Sequence, residues 1–171
     1  VKSVQKRIIA DRVRRGWPSA TDLSKTTCGL AEEVGEFELA RSAGHVPKML
    51  DAIGDVAVFT LGALEILGAD ADLITKRDAW WETTLWQYAT EWFRHDNFTP
   101  ITCTVTRRIG TFERARRYAN HTGMLPSLEN LLLDCFIGIA AVSYGSGRQF
   151  AIDHIESIVT TNELRPIREG H

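Results

Sequence analysis

Two stretches of this chain, 48–67 and 127–144, are apolar almost all round over helical lengths. A helix without a polar face has to be covered on every side, so it belongs at the centre of a helical assembly. Two such helices predict a bundle in which they lie side by side, with more amphipathic helices outside them. Strand patterns are poor throughout, so the fold class is all-α, and 171 residues with 44% hydrophobic content suit a single domain. The longest candidate apolar run, 56–67, contains Glu65 and is too short to cross a bilayer.

The remaining elements follow from apolar spacing and breakers. Val4, Ile8, Ile9 and Val13 predict a basic amphipathic helix over 4–15, not a signal peptide, ended by Gly16 and Pro18. A helix over 22–43 takes Asp22 as its N-cap. An unusually aromatic helix is expected over 72–94, carrying Trp80, Trp81, Trp86, Tyr88, Trp92 and Phe93. Helices over 100–118, 127–144 and 151–160 complete the chain, with a polar tail from Asn162. Cys28, Cys103 and Cys135 have no metal-like spacing and read as reduced, buried thiols of a cytoplasmic protein. The net charge of −2 gives no basic stripe for nucleic acid. The five His residues show no ligand spacing.

The chain also contains a hidden repeat. At a shift of 75 residues, Trp17, Thr27, Cys28, Gly35, Phe37, Glu38, Ala40 and Arg41 fall on identical residues, 8 pairs over 25 positions. Unrelated sequences of ordinary composition give about one or two. After a four-residue insertion, a shift of 79 aligns Pro47 with Pro126, Asp55 with Asp134 and Gly68 with Gly147. The expected organisation is two degenerate helical repeats, about 1–75 and 76–171, sharing one core.

Chemistry concentrates in the first repeat. Glu32, Glu33 and Glu36 lie within one helical turn of each other, and Asp51 and Asp55 are one turn apart on the next helix. The short break at Gly44–Pro47 suits an antiparallel pair, so the two acidic sets can converge. Converging carboxylates repel unless a cation lies between them. Hard oxygen donors without nearby His or Cys favour Mg²⁺ or Mn²⁺ over Zn²⁺. Asp55 heads a long apolar run, where an unpaired carboxylate is costly. In the second repeat the positions of Glu32, Glu33 and Glu36 hold Arg107, Arg108 and Thr111. Two readings of Arg107 and Arg108 stay open: bidentate contact with a polyphosphate, or a solvated surface. Asp134 is expected to pair with an Arg such as Arg108. The aromatic residues are mostly core, with Trp17 or Trp80 available to stack on a base.

The segment 29–55 resembles the all-α nucleotide pyrophosphohydrolase superfamily, the MazG-like and dimeric dUTPase-like proteins. Their pattern is Glu-x-x-Glu, a spacer, then Glu-x-x-Asp. Glu33 and Glu36 match the first half; Gly54 and Asp55 match the second, and Ala52 stands at the remaining Glu position. Thr161-Asn162-Glu163-Leu164-Arg165 resembles the closing Asn-x-Lys element that contacts phosphate, with Leu164 at the Lys position and Arg165 after it. The resemblance implies a Mg²⁺-dependent hydrolase that converts a nucleoside triphosphate to monophosphate and pyrophosphate, in a homodimer. Glu33, Glu36, Asp51 and Asp55 would hold the metal, and Glu32 or Glu33 would act on the attacking water. Arg107, Arg108, Asn162, Arg165 and Trp17 would bind substrate. Asp51 lies about 40° from Asp55 around the helix, so Asp51 or Glu32 is placed to replace the ligand missing at Ala52. Restoring it with Ala52→Glu is expected to raise metal affinity if the helix accepts the longer side chain. A nucleotide-binding or interacting bundle without catalysis is the alternative.

Overall fold

The computed structural model describes residues 1–75, 87, 98–144 and 146–167. Within these every regular element is a helix, and no strand occurs among the described residues. The α-helices are α1 (Lys2–Arg14), α2 (Leu23–Ser42), α3 (Val46–Ile66), α4 (Ala71–Thr75), α5 (Thr99–Arg117), α6 (His121–Val142) and α7 (Arg148–Leu164), with a 3₁₀ turn at Pro18–Ala20. Most of the expected aromatic helix, from Trp80 to Phe93, lies outside the described residues, as does the Trp92 partner of Trp17.

The two apolar helices are central, as their composition demands. α3 packs against α2, α6, α1 and α7, and α6 packs against α5, α3 and α7. Ile53, Val56, Leu61 and Leu64 of α3 meet Leu131, Leu132, Phe136 and Ile139 of α6 within one core. Gly138 permits their close approach: a Cβ there would fall 3.0 Å from Ile53 Cγ1. By length and composition Thr122–Val142 is also apolar enough to cross a membrane, which the run-length argument missed; 61% of it is buried inside the bundle.

The α2–α3 hairpin is built by local rules. Asp22 caps α2, its side chain accepting from Ser24 N at 2.8 Å. At the far end the His45 amide donates to Ala40 O and the Gly44 amide to Arg41 O, while Gly44 adopts φ +65. This pair of bonds closes the helix and satisfies its orphan carbonyls. His45 then caps α3, its ring accepting from Lys48 N at 3.3 Å.

The α5–α6 connection repeats this geometry. Asn120 N donates to Ala115 O and Ala119 N to Arg116 O, with Ala119 at φ 50 in the place of Gly44. Asn120 caps α6 through Gly123 N at 3.1 Å. The cap starts α6 at His121, six residues before the expected boundary. Pro126 is carried inside the helix at the cost of one backbone bond. Across the α2–α5 contact the two hairpins exchange equal bonds: Thr27 Oγ1 donates to Glu113 Oε2 at 2.9 Å, and Thr102 Oγ1 donates to Glu38. Glu38 and Glu113 are each also held by the Arg three residues on, Arg41 and Arg116. At the ends of the central helices the correspondence shifts. Tyr144 at φ 63 takes the position after the α6 cap that Gly68 at φ +72 takes after α3, so Gly147 is not its counterpart there.

Three further expectations are corrected. Cys28 and Cys103 are exposed, and only Cys135 is buried. Val13 is exposed, and Arg12 takes the buried place after Val4 and Ile8. α7 extends to Leu164, so Asn162 belongs to its last turn and not to a loose tail.

Candidate functional site

Antiparallel packing of α2 on α3 brings Glu33 beside Asp55, and Glu36 and Asp51 follow one turn closer to the hairpin. Two concavities flank these residues. The first, of about 240 Å³, is lined by Glu32, Glu33 and Asp55 together with Arg12, Trp17, Phe59, Asn162 and Arg165. The second, of about 450 Å³, is lined by Glu36, His45, Lys48 and Asp51. Glu32, Glu33 and Asp55 are therefore brought together with Asn162 and Arg165 from the far end of the sequence, while Glu36 and Asp51 line the neighbouring concavity.

The acidic cluster is under electrostatic stress. Glu33 Oε2 is buried and has no hydrogen-bond partner. Burial, reinforced by the charges of Asp55, Glu36, Glu32 and Asp51, pushes the Glu33 carboxyl up to about 8. Burial and Asp51, opposed by Arg165, push Asp55 up to about 7. A buried carboxylate oxygen without a donor, surrounded by other carboxylates, fits a hard divalent cation. Among the described residues, no three Asp, Glu, His or Cys side chains already form a coordinating set. Closing a shell around a cation would thus require side-chain rotation within the cluster.

Ala52 differs from Asp51 in burial. It is 3% exposed and packs into the core, whereas Asp51 is exposed beside Glu36. A restoring Glu at position 52 would start from a buried backbone position, which is costly unless a cation or donor meets its carboxylate.

α1 anchors the phosphate-binding candidates. The Arg15 guanidinium donates to the backbone oxygens of Asn162 and Arg165, the latter at 2.9 Å, and Arg14 donates to Glu163 O at 3.0 Å. Glu163 O is among the carbonyls that the end of α7 leaves without helical partners, Arg165 O lies just past the helix, and Asn162 O also accepts from the Arg165 amide at 3.2 Å. Asp11 orients Arg15 through a 2.8 Å bond to Nε, and the Arg15 guanidinium lies 5.4 Å over the Trp17 ring. Arg7 grips Glu163 with two bonds, of 3.0 and 2.7 Å. Trp17 stays partly exposed at the cavity rim.

Arg107 and Arg108 are placed elsewhere. Arg108 Nε donates to Asp134 Oδ2 at 3.0 Å, the pairing the sequence suggested, and this partly offsets the burial that raises the Asp134 carboxyl. Neither Arg lines the carboxylate cavity or figures among the charges felt by Glu33 and Asp55. The sequence reading missed Arg12 and Phe59. Arg12 continues the i, i+4 series Val4–Ile8, and a charged residue on a buried stripe was the available signal. No family model, curated protein or solved structure matches this chain.

Proposed function

We propose that the chain is a divalent-metal-dependent nucleoside triphosphate pyrophosphohydrolase of the MazG-like type, acting in the cytoplasm on the nucleotide pool. The observation that carries the reading is the buried, unpartnered Oε2 of Glu33 near Asp55, in one cavity with Asn162 and Arg165. Glu33, Glu36 and Asp55, with Asp51 in place of the carboxylate absent at position 52, would hold Mg²⁺ or Mn²⁺. Such an ion neutralises phosphate oxygens as charge develops on them. Arg165 and Asn162 orient the polyphosphate. Glu32, at the cavity edge, accepts a proton from the water that attacks phosphorus. The new P–O bond displaces pyrophosphate and leaves a nucleoside monophosphate.

The exchanged Thr27–Glu113 and Thr102–Glu38 bonds and the matching hairpin turns support two degenerate repeats. In that arrangement the second repeat has traded its acidic triad for Arg108 on Asp134. We further propose a homodimer, as the resemblance implies. The core position of Ala52 favours a second reading, a bundle that binds nucleotides without cleaving them. A panel of nucleoside and deoxynucleoside triphosphates with Mg²⁺ or Mn²⁺, scored for pyrophosphate, tests both. Metal-dependent release that disappears in Glu33→Gln supports the enzyme. Tight triphosphate binding without release supports the second reading.

A further inference from the structure

The lining of the carboxylate cavity includes a second group with spare bonding capacity. Arg12 is 3% exposed and forms no ion pair with a carboxylate among the described residues. Among the described residues its hydrogen bonds are to two backbone oxygens, Nη1 to Ser19 O at 3.5 Å and Nη2 to Val58 O at 3.4 Å. Both are at the outer limit for such bonds, and a guanidinium has five N–H donors. Burial lowers its pKa to about 10, so it stays charged at neutral pH.

The surroundings hold this cation flat. Its carbon lies 4.7 Å over the Phe59 ring. Two helical glycines make room for the stack. A Cβ on Gly62 would fall 2.3 Å from Arg12 Nη1, and one on Gly29 would fall 2.4 Å from Phe59 Cζ. Each glycine costs its helix about 1 kcal/mol relative to Ala, so the space is maintained against local preference. Ile8, Val58 and Val159 supply apolar walls. On α3, Phe59 is about one turn, roughly 6 Å along the axis, from Asp55. The cavity thus has acidic groups at one end and a flat, donor-only fork at the other.

We propose that Arg12 is the specificity-determining residue of this cavity, selecting a nucleobase that presents two adjacent hydrogen-bond acceptors. This rests on the reading of the cavity as a nucleotide site. Guanine offers such a pair at O6 and N7, and cytosine at O2 and N3. Adenine sets an amino group beside N7 and N1, and uracil separates its two oxygens by an N–H. Opposing donors with no water between them costs the full desolvation of both groups, which makes the fork discriminating.

The test is equilibrium titration of the full chain with GMP, CMP, AMP and UMP, read by calorimetry. The expected result is that GMP or CMP binds at least about tenfold more tightly than AMP and UMP, the discrimination a bidentate Arg contact provides. Whichever of the two leads identifies the edge that is read. Arg12→Met and Arg12→Lys should both bring the four affinities within about threefold of one another. Gly62→Ala, which displaces the guanidinium without replacing it, should shrink the ratio in the same direction. Equal affinities in the parent, a preference for AMP or UMP, or a ratio that survives Arg12→Met overturns the proposal. Because the parent's ratio is itself a test, poor folding of a variant does not shelter it. Pyrophosphate release at equal kcat/KM from all four triphosphates would leave the hydrolase standing and remove this role for Arg12. A GMP or CMP preference without any release would do the reverse.

Discussion

Asp55→Asn should stabilise the metal-free protein at alkaline pH. The Asp55 carboxyl is raised from its ordinary 3.8 to about 7 by burial and by Asp51, with Arg165 opposing. Between these two values the folded chain keeps a proton that the unfolded chain has released. Stability therefore falls as pH rises through that window and levels off above it. A shift of about three units corresponds to at most ~4 kcal/mol, at ~1.4 kcal/mol per unit. Solvent at the cavity mouth screens part of this, and part is shared with Glu33, so ~2 kcal/mol is the working figure. For a chain of this length that raises Tm by about 4–8 °C. The assay is thermal unfolding followed by far-ultraviolet circular dichroism in EDTA at pH 5 and pH 8.5. The parent should lose stability from the lower to the higher pH, and the variant should lose clearly less. At pH 8.5, millimolar Mg²⁺ should raise the Tm of the parent and leave the variant unchanged, because a ligand bound only by the folded state stabilises by mass action. A variant no more stable than the parent at pH 8.5, with an undiminished pH slope, would show that the acidic cluster is not under the stress described here.

Glu113 provides the opposite sign. Arg116, with Arg117 and Thr27, holds its carboxyl down to about 2 from 4.5, so its contribution is present above pH 4.5 and lost as pH falls toward 2. In urea titrations Glu113→Gln should cost about 1 kcal/mol at pH 6 and close to nothing at pH 2. Gly29→Ala forces a methyl into the Phe59 ring and should cost about 1–3 kcal/mol of unfolding free energy, with weaker nucleotide binding as Arg12 loses its platform. Ala52→Glu should destabilise the fold by about 3 kcal/mol or more in chemical denaturation, since the new carboxylate enters the core without a partner. A stable Ala52→Glu protein with increased Mg²⁺ affinity would place position 52 on the acidic face instead.

The sequence by itself determined the helical class, the centrality of 48–67 and 127–144, and the pairing of acidic residues across a short turn. These follow from local periodicity, from capping residues such as Asp22 and from the breaks at Gly16 and Gly44, all read over a few neighbouring positions. It also indicated the Arg108–Asp134 pair, because a carboxylate in an apolar run needs a partner. Other boundaries depend on caps that override the breakers: Asn120 starts α6 ahead of Pro126, and α7 continues through Asn162. The tertiary structure alone decided which side of a helix faces inward when neighbouring residues are both plausible. Ala52 is buried while Asp51 is not, and Arg12 is buried while Val13 is exposed. One position of helical rotation separates these outcomes, and it is set by what the helix packs against. Only the tertiary structure joined α1 to the end of α7, where Arg14 and Arg15 supply donors to carbonyls about 150 positions away in the chain. Contacts at that separation leave no periodic trace, because each partner is an ordinary surface residue of its own helix until the bundle closes.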